Sequence, residues 1–319
     1  MGMKMIGIRF YIFIFFGGFM TNLAYSAHQS IISHDHNGVL DYEQNQKRLK
    51  SAKNLTLPLK DELLLLKQLS EFDLGSFLLK NKGLNGYWTS YIILHAPEKK
   101  LEHPLEQWII HEAPTVKATQ ERFKIFNQQL QKNLKSDMSL ASIPCGLMDD
   151  LLGLDFSNVK NIKLIGIDLD DHSLILAHEN AVNLGKNVTT SFFKKDAWDL
   201  NVYEQYDVLT SNGLNIYESD DQKVVALYKQ FYNALKPNGV LITSFLTPPP
   251  TLSKESSWKN VDPKNALKQK AIFADILQVQ WQAFRTENQT RVQLEQAGFK
   301  IDEVIYDSQG IFPTVVAHK

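Results

Sequence analysis

Two hydrophobic periodicities divide this chain near Ser139. Before that point apolar residues recur every three or four positions, the spacing of one helix face. Leu63, Leu66 and Leu69 follow Pro58, a good first-turn residue, and Val116, Thr119, Phe123, Phe126 and Leu130 form a stripe along 115–134 with charges opposite. After Ser139, short apolar runs alternate with amphipathic stretches, the pattern of βαβ units and a parallel sheet. The runs predict strands at 139–143, 163–167, 188–192, 206–210 and 239–246. One intervening helix starts at Asp170-Asp171, with Asp171 as the expected cap, and carries Leu174, Ala177, Ala181 and Leu184 on one face. Another starts at Asp220-Asp221 and carries Val224, Leu227, Phe231 and Leu235. It stops at Lys236-Pro237-Asn238-Gly239, where Gly239 is expected to supply the left-handed turn. A polar, helical insert follows at about 247–284, then a helix at 287–297, Gly298, and two strands at 301–306 and 312–317.

The first 137 residues divide further. Lys4 and Arg9 precede a short apolar run from Phe10 to Met20, and Ala24 and Ser26 offer small residues for cleavage, so 1–26 reads as an export signal. An uncleaved membrane anchor, or a translation start further downstream, are the alternatives. Residues 27–54 are polar and irregular and read as a linker, 55–137 as a helical cap, and 138–319 as the sheet domain.

Composition narrows the function. A formal charge of −1 and no dense Lys/Arg stripe leave no field for tracking phosphates, so general nucleic-acid binding is not expected. Cys145 is the only cysteine, which excludes an intrachain disulfide and a cysteine zinc cluster. His34-Asp35-His36 and His103 or His111-Glu112 lack a third convergent ligand, and they read as a solvated loop and a helix surface rather than a metal site.

The chemistry concentrates where the first apolar run ends. Pro144-Cys145-Gly146 turns at once into a helical segment, whose free backbone N–H groups would face outward, and the second run closes on Asp168. That spacing is near the roughly 20 residues that place an acid on a ribose in doubly wound sheets. Asp168 could also simply end a strand. Gly146 is the single central glycine, short of the G-x-G-x-x-G that cradles a pyrophosphate. A nucleoside ligand without phosphates suits such a loop better than a dinucleotide.

With these residues in view, the part from Ser139 to Lys319 resembles the class I S-adenosylmethionine-dependent methyltransferases. SLASIPCGLMDDLL stands where that family has its glycine loop, LIGIDLD where its second strand ends in the ribose acid, and FFKKDAWDL where its third ends in an adenine-contacting acid. YDVLTSNGL stands at the fourth strand and NALKPNGVLITSF at the helix-turn-strand that commonly reads LKPGG. The family loop usually has two or three glycines, and this one departs from it. The resemblance implies a doubly wound, seven-stranded Rossmann-like α/β sheet with an antiparallel last strand, and S-adenosylmethionine as cofactor. It implies cofactor contacts from Pro144, Cys145, Gly146 and Met148 in the loop, and from Asp168 and Leu169 at the ribose. Asp196, Ala197 and Trp198 would meet the adenine, and Ser211 and Asn212 leave the fourth strand.

Cys145 stands beside the first strand, whereas the nucleophile of cytosine-5 methyltransferases follows the fourth, so it reads as a packed thiol. The fourth-strand exit also lacks the Asn/Asp-Pro-Pro-aromatic motif of enzymes that methylate base amines. Tyr87 and Trp88, Asn215, and Trp281 with Arg285 are the candidates for an acceptor site, and a mixed aromatic and polar wall suits a small, partly apolar molecule. Arg285 would clamp an acceptor carboxylate. No side chain has the spacing to claim the role of general base. Two other functions remain open, a nicotinamide-dependent oxidoreductase and a non-catalytic, exported cofactor-binding protein. Cofactor supply favours the cytoplasm, and the leader favours export or anchoring. The sequence carries no signal of oligomeric state.

Overall fold

The computed structural model of the chain describes residues 42–182, 184, 187–279 and 283–319. The leader, the linker residues up to 41 and the expected substrate contact Trp281 lie outside the described residues. Seven strands form one sheet: β1 (Ser139–Ser142), β2 (Ile162–Asp168), β3 (Val188–Lys194), β4 (Tyr206–Ser211), β5 (Leu235–Ser244), β6 (Lys300–Ile305) and β7 (Thr314–His318). Their order is β3-β2-β1-β4-β5-β7-β6, with β7 antiparallel to both neighbours. This is the doubly wound, Rossmann-like α/β sheet expected from the pattern. Its strand order reverses at β1, which pairs with β2 through Ser142↔Gly166 and with β4 through Ser142↔Thr210. Ligands of open α/β sheets bind outside the carboxyl ends of the strands at such a switch point.

Helices cover both faces. The described ones are, in chain order, α1 (Tyr42–Ser51), α2 (Leu59–Leu69), α3 (Asp73–Asn81), α4 (Gly86–Ser90), α5 (Pro104–His111), α6 (Pro114–Asn133), α7 (Asp149–Leu152), α8 (Asp171–Ala181), α9 (Asp221–Ala234), α10 (Pro263–Lys270) and α11 (Glu287–Ala297). On one face Val224, Leu227, Tyr228 and Phe231 of α9 meet Leu294 and Ala297 of α11 over the sheet. On the other, Phe126 and Leu130 of α6 and Ala177 of α8 pack on Leu140, Leu164 and Val208. Each such fully buried large side chain contributes roughly 1.5–3 kcal/mol.

A third core belongs to the helical cap, where Leu66, Leu69, Ile109 and Ile110 are buried together. Ala271, Ile272, Ile276 and Leu277 join it from the insert, so the insert is fastened to the cap rather than solvated. Residues 42–51, expected as irregular linker, are helix α1. Its Leu49 is buried in the cap core, and Arg48 donates to the carbonyls of Asp275 and Ile276 at 2.6 and 2.7 Å.

Two local expectations change. Asp170, not Asp171, caps α8: its carboxylate accepts from His172 and Ser173 N–H, while Asp171 begins the helix and pairs with Lys194 at 2.5 Å. After α9, Asn238 takes the left-handed conformation (φ 63°), and Gly239 is required for space, since a Cβ there would lie 2.8 Å from the Lys236 carbonyl oxygen.

Candidate functional site

A cavity of about 540 Å³ opens at the switch point, between the carboxyl ends of β1, β2 and β4 and the cap segment 84–93. That volume is in the range of small-molecule and cofactor sites. Its floor is the loop after β1. There Cys145 N–H donates to the Ile167 carbonyl, and Gly146, at φ +49°, turns its N–H onto Asp168 Oδ2 at 2.9 Å. The other oxygen, Oδ1, accepts from Asp170 N–H at 3.0 Å. Two backbone donors thus fix the plane of the Asp168 carboxylate and leave each oxygen a further lone pair for a ligand. Burial raises its pKa above the ordinary carboxylate value, against the lowering effect of the backbone N–H groups.

The cap seals this floor. Gly86 lies so close that a methyl group on it would stand 2.7 Å from Ser173 Oγ and 3.1 Å from Gly146 Cα. Asn85 caps α4 by accepting from Trp88 N–H at 2.9 Å. The helical turn then sets Gly86, Thr89 and Ser90 toward the cavity. Tyr87 and Trp88 fall on the opposite side, in an aromatic cluster with Phe77 and Tyr91 in the cap core. These two expected acceptor contacts are therefore cap packing, and their neighbours face the site instead.

Charge in the wall is unbalanced. Six carboxylates line the cavity (Asp149, Asp150, Asp168, Asp170, Asp196 and Glu218) against two cations, Lys195 and Arg122. The four-residue helix α7 begins with Asp149 and Asp150, so negative charge occupies the place where the sequence suggested free N–H groups for an anion. Asp150 accepts from Ser142 Oγ at 3.0 Å, and burial, first of all, raises its pKa to about 6. Burial also pushes the Cys145 thiol up, helped by the nearby charges of Asp168 and Asp150, which removes it as a nucleophile at neutral pH.

The adenine-side and fourth-strand residues divide between wall and core. Leu169, Asp196, Ala197, Trp198 and Asn212 line the cavity with Pro144, Cys145, Gly146 and Asp168. Asp196 accepts from Trp198 N–H at 2.9 Å, and the indole donates to the Lys223 carbonyl at 3.0 Å, which holds the ring in place. Met148 is fully buried in the core below the loop, and Ser211 is buried within β4, so neither reaches the cavity. Asn215 is likewise buried, donating to the Tyr228 hydroxyl at 3.0 Å. Arg285 is no free clamp. Its guanidinium donates to Asp221 Oδ1 at 3.1 Å and to the carbonyls of Asn215 and Glu218 at 3.0 and 2.7 Å.

Arg122 was not singled out by the sequence pattern, yet it lines the cavity from α6 while only 6% exposed. Burial lowers its pKa to about 10, so it keeps its charge at neutral pH. His103, by contrast, serves its own helix: Nδ1 accepts from Leu105 N–H at 3.2 Å, and Nε2 lies 3.2 Å from Glu71. Among the described residues no group of three His, Cys, Asp or Glu side chains is placed to hold a metal ion.

The sheet order and the cavity at its reversal define a Rossmann-like α/β fold with its cleft at the switch point. Residues 149–239 match the family model described as "Methyltransferase domain". The chain is similar to a solved structure of "a possible exported protein" from Bordetella parapertussis, at 42% identity and a TM-score of 0.82, covering 87% of this chain and 94% of that one. It is also similar to a "putative protein N5-glutamine methyltransferase" of Methanocaldococcus jannaschii, 22% identical over 173 residues, which are 54% of this chain and 77% of that protein. The family match spans α7 to β5, the part of the sheet domain that carries Asp168 and Asp196. No helix among the described residues is long and apolar enough to cross a membrane.

Proposed function

We propose that the protein transfers the methyl group of S-adenosylmethionine to a small molecule held between the sheet edge and the cap. The observation that carries this reading is the Asp168 carboxylate, oriented by Gly146 and Asp170 N–H groups at the wall of the cavity. In this reading Asp168 and Leu169 hold the ribose, Asp196, Ala197 and Trp198 flank the adenine, and the Pro144-Cys145-Gly146 loop supports the sugar. S-adenosylmethionine has no phosphate, and its sulfonium and ammonium outweigh its carboxylate. A wall with six carboxylates and two cations suits that net positive ligand. It would repel a pyrophosphate, which argues against the nicotinamide alternative, as does the single loop glycine.

The cofactor supplies an activated methyl group. The protein's part is to align an acceptor with it and to exclude water. The cap does the second, through Gly86 on the loop and Ile93 and Leu84 over the cavity. Among the described residues no histidine lines the cavity, and no residue is assigned as base. The cap 55–137 and the sheet domain 138–319 then work as one enclosure.

Calorimetry with S-adenosylhomocysteine and NAD tests the reading. A charge-assisted pair of this kind contributes about 1.5–3 kcal/mol. Asp168→Ala should therefore bind S-adenosylhomocysteine roughly ten- to hundredfold more weakly, while NAD shows no binding to either protein. Equal affinity of the two proteins would remove Asp168 from the site. Cofactor supply favours work in the cytoplasm, whereas a mature chain that mass spectrometry finds to start at Ala27 would place it outside.

A further inference from the structure

Arg122 and Arg285 are both buried arginines, and the fold treats them oppositely. Arg285 spends its guanidinium on one carboxylate and three carbonyls, those of Asn215, Glu218 and, at a long 3.5 Å, Ala283. Arg122, at the cavity wall, has one hydrogen bond among the described residues, from Nη1 to Ser244 Oγ at a long 3.3 Å. Its Nε is buried with no partner, and its ion-pair range holds no carboxylate among the described residues. The guanidinium lies over Phe312, 4.4 Å from the ring centroid, a contact that uses none of its donors. Tyr217, on the same cavity wall, and Asp307 are the groups whose charge bears on it, and the two Asp307 oxygens already accept from Gln309 and Phe312 N–H at 3.0 and 2.6 Å. A buried guanidinium with unfilled donors is costly unless something completes it.

The surroundings say what would complete it. The exit of β4 passes against Arg122: Gly213, at φ +86°, turns the chain there, and a Cβ on it would stand in ordinary contact with Nη1 at 3.4 Å. Beside it Asn212 lines the cavity with its Oδ1 buried and unpartnered. Phe123, Leu214, Ile93 and Leu84 supply apolar wall. This end of the cavity adjoins the carboxyl ends of β4 and β5, away from Asp168 at the end of β2.

On the reading of the site as a methyltransferase, we propose that Arg122 receives the carboxylate of the methyl acceptor. The acceptor is then a small monoanionic acid with an apolar body. The planar fork of Arg122 matches a carboxylate in two-point contact. A dianionic phosphate fits less well, since six carboxylates already line the same cavity.

The test uses the full chain saturated with S-adenosylhomocysteine and matched pairs of apolar acids and their primary amides, such as benzoate with benzamide, cinnamate with cinnamamide, and octanoate with octanamide. Binding is read by ligand-observed NMR. The acids should bind at least tenfold tighter than their amides, Arg122→Met should abolish that preference, and Arg122→Lys should restore part of it. S-adenosylhomocysteine affinity should change less than about twofold in either variant. Absence of any acid preference in the unaltered protein, or the same preference in Arg122→Met, would overturn the assignment, and the first comparison needs no variant to fold. Failure to bind S-adenosylhomocysteine at the outset would instead sink the methyltransferase reading itself.

Discussion

Arg285→Met offers a quantitative separation of scaffold from site. Arg285 is 2% exposed and ties three parts of the chain together: the loop after β4, through the carbonyls of Asn215 and Glu218, the start of α9, through Asp221, and the end of the insert. Its own backbone N–H donates to the Leu246 carbonyl at 2.8 Å, so the side chain leaves from a fixed point. Asp221 is more than half exposed, and solvent screens that ion pair to a fraction of a kcal/mol. The two carbonyl bonds are buried and come from a charged donor, at about 1.5–3 kcal/mol each. Methionine fills much of the volume but leaves the Glu218 carbonyl without this donor and the Asn215 carbonyl with only the 3.3 Å bond from Glu218 N–H. The expected loss is about 3–5 kcal/mol of unfolding free energy in urea, or a fall in Tm of order 10 °C. Because Arg285 does not line the cavity, S-adenosylhomocysteine affinity at a temperature where the variant is folded should stay within about twofold. A loss below about 0.5 kcal/mol, accompanied by failure to bind an acidic acceptor, would refute this reasoning and return Arg285 to the acceptor site.

Other consequences follow from the same geometry. Gly86→Ala places a methyl 2.7 Å from Ser173 Oγ and 3.1 Å from Gly146 Cα, so it should cost about 1–3 kcal/mol by overpacking and weaken S-adenosylhomocysteine binding by shifting the loop. Unchanged melting and binding would show that cap and loop are not in contact. Asp150, with a native pKa of about 6 against an unfolded value near 3.8, binds more protons folded than unfolded between those values. Its contribution therefore falls as pH rises from about 4 to 6, by about 3 kcal/mol at most. Asp150→Asn should accordingly be the more stable protein at pH 7.5 and lose that advantage at pH 4, and parallel stability curves for the two would contradict it. The Cys145 thiol, held protonated by burial, should react with iodoacetamide at pH 8 far more slowly in the folded protein than in urea. Equal rates would mean that the loop opens freely.

What the sequence disclosed, and what it withheld, follows from the range of the forces involved. Asp168 and the Gly146 loop were legible because a strand end and the next helix start are neighbours in the chain, and βαβ geometry then places them together. Tyr87 and Trp88 drew attention as aromatics, but only the phase of α4 decides that Gly86, Thr89 and Ser90 look into the cavity. Asp149 and Asp150 fall in the segment expected only to offer free N–H groups, and the structure sets both on the cavity wall. Arg122 was hidden for a related reason. Charges along α6 were assigned to its outer side, yet this one follows Ala118 by a helical turn and adjoins Phe123, both buried. The role of Ile272 and Ile276 in the cap core depends on contacts across most of the chain, beyond any local pattern.

A crystal structure of the full chain with S-adenosylhomocysteine tests the central claim most directly. The account predicts both ribose hydroxyls within about 3 Å of the Asp168 carboxylate, with that carboxylate still held by the N–H groups of Gly146 and Asp170. A nucleoside seated elsewhere, or an Asp168 side chain swung out of the cavity in the complex, would contradict it.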